Sequence, residues 1–234
     1  MDIGTKQELL LKAKTFFKNK IAKSINKNTE KCGSLSVFDY NPFLIQYLAQ
    51  LAFGDTKPES LAKALIYPRC LGTSPATTFG NQIQFFCSDV LGSYASTTQG
   101  CDIEFVDAYD GRKKYCQMKA GPNTINRDDV KTICDHFTGV RNLARTNHLD
   151  ISMNDCVVGI IYGNQSDINA NYKAIDKQYP VYAGSVFWTH LTGDEVFYHD
   201  LVKSFVEAAN EMSATKVMQD AIKSLTEDIK KHGI

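Results

Sequence analysis

An Asp-Gly pair between two stretches of alternating apolar and polar residues is the feature that most constrains the fold. The stretches cover residues 101–108 and 114–120, and Asp110-Gly111 lies between them. Asp-Gly is favoured in tight hairpin turns because both central positions of such a turn need a positive φ. The sequence therefore predicts an antiparallel β-hairpin with a two-residue loop at Asp110-Gly111.

This loop length sets the register of the predicted hairpin. It places Asp102 opposite Lys119 and Glu104 opposite Gln117. Side chains alternate along a strand and cross-strand partners share a face, so these four polar residues are predicted to form one patch. The opposite face is predicted to pack into the core because its residues are apolar. The predicted core-facing residues are Ile103, Phe105, Cys116 and Met118.

The remaining elements indicate the fold class. Helical spacing of apolar residues predicts helices over 6–24, 42–53, 58–66, 78–91, 127–146, 193–209 and 213–231. Apolar runs predict strands over 156–162 and 181–188, and polar stretches predict loops over 26–36 and 68–78. Helices around a hairpin and two further strands are typical of an α/β (α+β) fold, with a central mixed sheet and flanking helices.

Charge, cysteines and hydropathy exclude several classes of protein. The 26 Lys and Arg balance the 26 Asp and Glu, which argues against non-specific coating of nucleic acid. The seven cysteines form no C-x-x-C pair, so they are interpreted as reduced packing residues rather than zinc ligands. Neither a membrane-spanning apolar run nor a signal-peptide pattern is present in the sequence, and we expect a cytoplasmic protein with no membrane partner.

The predicted polar patch fits chemistry on a phosphate. Carboxylate and carboxamide oxygens are suitable Mg²⁺ ligands. A nearby ammonium group can stabilise charge on a phosphate or orient a water molecule. The alternative interpretation is a solvated hairpin face with cross-strand charge pairs.

The motif also resembles a known family. Asp102, followed by fourteen residues and then Gln117-Met118-Lys119, resembles the core motif of the PD-(D/E)xK nuclease superfamily. The stretch QMKAGPNTIN over 117–126 is similar to type II restriction endonucleases that cut GGNCC-type sites. Two departures are visible. Gln117 stands where the superfamily usually has Glu, and Gln82 and Gln84 stand on the preceding predicted helix, where many members have an acid. The resemblance covers about residues 40–165, including three upstream parts: Asn41-Pro42-Phe43, Arg69 and Thr78-Phe79-Gly80.

The resemblance implies roles for the motif residues. Asp102, Gln117 and Lys119 would be catalytic, and Mg²⁺ would be the cofactor. The metal would be held by Asp102, Gln117 and the carbonyl of Met118. Lys119 would contact the scissile phosphate and the attacking water, and hydrolysis would leave 5′-phosphate ends. Glu104 is an alternative source of the negative charge that Gln117 lacks.

Residues beyond the motif are candidates for DNA contacts. The segment after Lys119 opens a predicted helix, whose N-terminus is able to hold a phosphate. The alternative for these residues is turn and cap chemistry, or a solvated helix face. Asn164, Gln165 and Ser166 are candidates for reading bases or form a plain polar loop. The predicted DNA-binding residues are Asn123, Thr124, Asn126, Arg127, Arg141 and Arg145.

Together these features predict a sequence-specific, Mg²⁺-dependent type II restriction endonuclease. It would act on double-stranded DNA as a homodimer, without a nucleotide cofactor. We expect one catalytic domain over 1–234, with a helical dimer or DNA-embracing region over 1–67, a nuclease core over 68–190 and C-terminal helices over 191–234. Three alternatives remain open: a DNA-binding protein without catalysis, a repair or structure-specific nuclease of the same superfamily, and a protein-interaction domain.

Overall fold

The computed structural model describes residues 2–82, 85–86, 89–212 and 214–234. The chain divides into two compact units. One unit comprises Met1–Ala13 and Ile83–Ser204, and the other comprises Lys14–Gln82 and Phe205–Ile234. The first unit contains the β-sheet and the second is helical. No helix in the described ranges is both long and apolar enough to cross a membrane.

Ten α-helices are defined in the described residues. In chain order, α1 to α5 are Ile3–Phe16, Lys23–Lys31, Pro42–Phe53, Pro58–Tyr67 and Ser74–Asn81, and α6 to α10 are Arg127–Thr146, Ala170–Asp176, Ser185–Thr192, Phe197–Glu211 and Ala214–His232. Two π-helical segments, Phe17–Ala22 and Pro68–Thr73, connect α1 to α2 and α4 to α5.

Four strands form a mixed sheet in the order β1-β2-β3-β4. They are Ile103–Val106, Lys113–Lys119, Cys156–Ile160 and Val181–Ala183. β1 and β2 are antiparallel, whereas β2–β3 and β3–β4 are parallel. Every residue of β3 is buried, as expected for a strand covered on both faces. The predicted fold class, a central mixed sheet with flanking helices, is confirmed.

Helix α6 begins and ends where the sequence predicted. The Asn126 side-chain oxygen accepts hydrogen bonds from the backbone N–H groups of Asp128 and Asp129, and the Asp129 carboxylate accepts one from the N–H of Asn126. This reciprocal capping box satisfies amides that the first turn of a helix leaves unpaired. The buried face of α6 packs onto the sheet through Ile133, Phe137 and Val140.

The hairpin register differs from the prediction by two residues. Ile103 pairs with Cys116 and Glu104 pairs with Tyr115, so Asp102 does not lie opposite Lys119, and Glu104 does not lie opposite Gln117. The connection is longer than Asp-Gly alone, because the last backbone bond joins the N–H of Asp107 to the carbonyl of Arg112 at 3.0 Å. A shift of two residues keeps each side chain on its predicted face.

The predicted core face of the hairpin is confirmed despite this shift. Each of its four apolar residues is at most 5% exposed: Ile103, Phe105, Cys116 and Met118. The same face also buries Lys114, which the sequence analysis had not assigned to the core.

Several predicted boundaries are wrong. The predicted loop over 26–36 is helical as far as Lys31, and the predicted loop over 68–78 is a π-helical segment followed by α5. The first part of the predicted 78–91 helix belongs to α5, which starts earlier, at Ser74, and ends at Asn81, and the described residues 85, 86 and 89 are helical as predicted. Residues 83, 84, 87 and 88 of that prediction, including Gln84, lie outside the described residues. Helix α7 had not been predicted, and α9 begins at Phe197 rather than at residue 193.

The predicted strand over 181–188 stops at Ala183 because the chain turns at Gly184. Gly184 has a φ of +53°, and a Cβ atom there would lie 1.8 Å from the carbonyl oxygen of Gly163. Only glycine fits this conformation and this close approach. Helix α8 starts directly after it and buries Phe187 and Trp188.

Candidate active site

Asp102 lies immediately before β1 and is fixed to the edge of β2. Its N–H donates to the carbonyl of Cys116 at 2.8 Å. Its carboxylate oxygen Oδ2 accepts the backbone N–H of Met118 at 2.6 Å. The structure therefore places this carboxylate beside the Gln117-Met118 backbone rather than opposite Lys119.

The backbone of Met118 faces the same side of β2 as Asp102. The carbonyl of Lys119 accepts the N–H of Ile161 on the β3 side at 3.0 Å. Backbone groups of successive residues point alternately to the two sides of a strand. The N–H and carbonyl of Met118 therefore both point towards β1, where the N–H already meets Asp102.

The side-chain oxygen of Gln117 is buried and accepts no hydrogen bond from the described residues. An unpaired buried polar atom carries a desolvation cost of about 1–3 kcal/mol, so in a native structure a water molecule, an ion or a ligand normally pairs with such an atom. A cation supplies the missing interaction for a carboxamide oxygen. Within the described ranges, no group of three or more His, Cys, Asp or Glu side chains is arranged for a metal ion. A ligand set around Asp102 would therefore have to include other oxygen donors, such as Gln117 and a main-chain carbonyl.

Lys119 follows Gln117 by two residues on β2, so the two side chains lie on the same face. Its side chain is partly buried. Among the interactions of the described residues, the ammonium group of Lys119 has neither an ion pair nor a hydrogen bond. The charge is therefore available to an anionic substrate.

Glu104 does not belong to this group. Its carboxylate accepts hydrogen bonds from the hydroxyls of Ser96 at 2.6 Å and Thr98 at 2.8 Å, and it forms an ion pair with Lys113. Burial would raise the pKa of Glu104, but these three donors together hold the pKa below its ordinary value. Glu104 lies opposite Tyr115 rather than opposite Gln117, and its carboxylate already interacts with three donors. It is therefore a poor source of the negative charge that Gln117 lacks.

The loop from Gly121 to Asn126 is held by its own polar groups. The Thr124 hydroxyl donates to the carbonyl of Gly121 at 2.9 Å and lies 3.1 Å from the hydroxyl of Tyr172. The side-chain oxygen of Asn126 caps α6. Asn123 and Arg127 are exposed beside them. Thr124 and Asn126 therefore shape the loop, while Asn123 and Arg127 present exposed side chains.

Arg141 and Arg145 lie apart from that loop. They line a cleft of about 570 Å³ with Thr138, Asn142 and His148. At a rise of 1.5 Å per residue, the two arginines lie roughly 20–27 Å along the helix from Arg127. The structure thus groups Asp102, Gln117, Met118 and Lys119 but separates the two arginines from them.

Gln165 is occupied by the backbone of β4. Its amide nitrogen donates to the carbonyl of Val181 at 2.7 Å, and its oxygen accepts the N–H of Ala183 at 2.8 Å. Both polar atoms are therefore used to hold the end of the sheet. This arrangement favours the polar-loop interpretation over base reading for Gln165.

A buried charge network at the other end of the hairpin was not predicted. Lys114 is 1% exposed and contacts the carboxylates of Asp110 and Asp155. Arg112 binds both carboxylate oxygens of Asp155, at 2.8 and 2.6 Å. Burial would raise the pKa of Asp155, but hydrogen bonds from Arg112 and Ser152 hold it well below its ordinary value. The only sequence signal was a lysine in register with the apolar face of β2.

Two comparisons bear on identity. The family model described as Type II restriction endonuclease EcoO109I matches residues 12–213 of the chain. A search of the curated proteins finds no match.

Proposed function

The chain belongs to the type II restriction endonuclease EcoO109I family, and from this premise we propose that it cuts double-stranded DNA by Mg²⁺-dependent hydrolysis, with Asp102, Gln117 and Lys119 at the reacting phosphate. Membership in this family makes it a sequence-specific restriction endonuclease. The metal, the residues and the products are the parts that we propose.

The finer assignment rests on the motif and its continuation. Asp102, Gln117-Met118-Lys119 and the stretch that follows to Asn126 support placement in the PD-(D/E)xK superfamily, a GGNCC-type site and 5′-phosphate ends. We further propose that the protein acts as a homodimer, since cutting both strands of a palindromic site is matched by two-fold symmetry.

The observation that carries the proposal is the unpaired Gln117 oxygen between a carboxylate and a lysine. The carboxylate of Asp102 accepts the backbone N–H of Met118 at 2.6 Å. Gln117 precedes Met118, and its buried side-chain oxygen has no hydrogen-bond partner among the described residues. Lys119, which none of those residues pairs with, follows Met118. A solvated hairpin face would leave no polar oxygen buried without a hydrogen bond.

The donor set fits a hard divalent cation. The Asp102 carboxylate, the Gln117 Oε1 and the Met118 carbonyl are oxygen donors of the kind that Mg²⁺ prefers. A bound Mg²⁺ would supply Lewis-acid polarisation of the scissile phosphate and lower the pKa of a coordinated water molecule. One carboxylate instead of two predicts weak metal affinity.

The chain's own groups would position the substrate. Lys119 would donate to a nonbridging oxygen of the scissile phosphate, where negative charge grows as the water attacks. The exposed Arg127 and Asn123, next to the N-terminus of α6, would contact neighbouring phosphates of the backbone. Such contacts set the register of the protein on DNA without reading its sequence.

Digestion of a large sequenced plasmid tests this function directly. The purified protein is incubated with the plasmid in Mg²⁺ and, separately, in EDTA. We expect discrete fragments in Mg²⁺ alone, with 5′-phosphates at one common sequence. Tight binding to one sequence in Ca²⁺ without cleavage in Mg²⁺ would support the binding-only alternative, which the missing charge at Gln117 favours. Preference for branched DNA would support a repair nuclease.

Replacing Gln117 by glutamate is expected to strengthen metal binding. A second carboxylate adds negative charge to the ligand set, so the Mg²⁺ concentration for half-maximal cleavage should fall roughly tenfold. The measurement is the cleavage rate over a Mg²⁺ titration, with Mn²⁺ binding followed by calorimetry. Gln178→Glu, at an exposed position, is the matched control. An unchanged Mg²⁺ requirement in Gln117→Glu would argue against Gln117 as a ligand.

A further inference from the structure

The last turns of α6 and the loop that follows enclose a cleft of about 570 Å³. Arg141 and Arg145, four residues apart, line it from the helix, and Leu149, Asp150 and Ile151 line it from the loop. We call this space the α6 cleft. Its volume lies in the range of small-molecule sites, about 300–1,000 Å³. A cleft of this size with two cations on one wall fits a small anionic ligand.

The side chain of Arg141 lacks a partner within the described part of the chain. Its Nε is buried and donates no hydrogen bond there, and its guanidinium group forms no ion pair. Nε and one terminal nitrogen form the edge of a guanidinium group that binds phosphate bidentately. A water molecule would satisfy Nε and leave the positive charge uncompensated, whereas an oxyanion would do both.

The other polar groups of the cleft are held in place around the two arginines. Arg145 donates to the side-chain oxygen of Asn142 at 3.3 Å. His148 has a φ of +56°, which residues other than glycine rarely adopt. The N–H groups of His148 and Leu149 donate to the carbonyls of Arg145 and Ala144 at 3.2 and 2.8 Å. These bonds pair helix-end carbonyls whose partial negative charge would otherwise oppose an anion.

The α6 cleft is separate from the candidate active site. Burial raises the pKa of the Cys156 thiol to about 12, and the nearby positive charge of Arg141 opposes this rise. Arg141 therefore lies near the first residue of β3. Cys156 pairs with Tyr115, four residues before Lys119, which corresponds to about 13 Å along β2. A ligand in the cleft would leave the position proposed for the scissile phosphate open.

We propose that the α6 cleft binds a free nucleoside monophosphate, with its phosphate between Arg141 and Arg145 and its sugar and base against Leu149 and Ile151. Leu149 is 59% exposed, so an apolar surface beside the arginines is open to a ring. Small-molecule sites commonly combine such apolar walls with a few polar groups that fix the orientation of the ligand. The ligand would not be a cofactor of DNA hydrolysis, because it would bind away from the reacting groups.

Asp150 favours this ligand over the backbone of duplex DNA. Its side chain is 88% exposed and lies 3.3 Å from the guanidinium group of Arg112. Each DNA strand carries a negative charge about every 3.4 Å, so a duplex with one phosphate in the cleft would bring further phosphates towards this carboxylate. A nucleoside monophosphate has a single phosphate group, and its sugar hydroxyls are able to donate hydrogen bonds to a carboxylate.

Calorimetric titration with AMP, GMP, CMP and UMP, in the absence of DNA and metal, tests the site. We expect at least one to bind the wild type with a Kd below about 1 mM, and its nucleoside without phosphate not to bind. Arg145→Gln, at an exposed position, should raise this Kd at least about tenfold, because a charged hydrogen bond is lost. Lys131→Gln, at another exposed position on α6 but outside the cleft, is the matched control. No binding to the wild type, or equal Kd values for the two variants, would overturn the proposal.

Two further titrations exclude other locations for the nucleotide. Lys119→Ala should bind it with the wild-type Kd, and a loss of binding would place the nucleotide at the candidate active site and overturn the proposal. A saturating DNA duplex, bound in Ca²⁺, should also leave the nucleotide Kd unchanged. Displacement by the duplex would indicate that the cleft holds a DNA phosphate instead. The first titrations contain no DNA, so a protein that binds the nucleotide and fails to cut DNA would count against the proposed activity alone.

Discussion

Replacing Lys119 by alanine is expected to reduce the rate of DNA cleavage by about 10²–10³-fold, because removing one donor to developing charge costs about that much in other enzymes. Lys119 has no ion pair or hydrogen bond within the described part of the chain, and its partner residue on β3, Ile160, is apolar and buried. Its charge is not paired by any of the described residues and would be paired by the scissile phosphate.

The measurement is single-turnover cleavage of an oligonucleotide duplex that carries the site found by plasmid digestion. Binding of the same duplex in Ca²⁺ should change much less than cleavage, since Lys119 would act mainly where charge develops in the reaction. Lys177→Ala, at an exposed position, controls for loss of positive charge. Cleavage by Lys119→Ala at the wild-type rate would remove Lys119 from the proposed mechanism.

Lys114→Met is expected to destabilise the sheet-containing unit by about 3 kcal/mol. Lys114 is buried against Asp155 and Asp110 and lies 3.9 Å from Asp107. Removing one member of a buried ionic group leaves the others uncompensated, which typically costs about 3–5 kcal/mol. In the variant, Asp155 would still pair with Arg112, and Asp107 would still pair with His190 at 2.8 Å. The loss in the free energy of unfolding should therefore fall at the lower end of this range.

Lys113→Met is the matched control, since Lys113 is the preceding residue and its side chain is 56% exposed. Its ion pair with Glu104 is exposed on the lysine side, and Glu104 would keep its hydrogen bonds from Ser96 and Thr98, so the change should cost about 1 kcal/mol at most. Trp188 is the single tryptophan of the sequence, is 1% exposed and donates to the carbonyl of Ile161. Its fluorescence during urea unfolding therefore reports on this unit. Equal midpoints for the two variants would contradict the assignment of Lys114.

The hairpin shows how far the sequence could predict the site. Alternation between 101 and 120 predicted the correct faces, because a half-buried strand must separate apolar from polar side chains. The predicted hairpin register was wrong because Asp110 does more than form a two-residue turn with Gly111. Its carboxylate accepts the N–H of Arg112 and binds Lys114, and the connection closes at Asp107 and Arg112. Lys114 is also buried against Asp155, which is distant in sequence, and local turn preference does not encode such a contact.

Elsewhere, the sequence predicted an element correctly where residues within that element stabilise it. Helix α6 carries its own capping box, so its start was predicted correctly. Helix α2 is polar apart from Ile25, and its formation depends on tertiary packing of residues such as Thr29. The strand ending at Ala183 depends on Gly163, distant in sequence from Gly184. The unpaired oxygen of Gln117 likewise became visible only once burial was known.

The parallel pairing of β2 with β3 has a consequence during protein synthesis. The strand that carries Gln117 and Lys119 acquires its second neighbour only after the ribosome has made the whole crossover through α6 and continued to Ile160. The chain loses the conformational entropy of closing this long connection before the pairing of the two strands contributes any stabilising free energy. A nascent chain that is released or degraded before this point lacks the finished sheet, so truncated products should be harmless to the DNA of the cell that makes them.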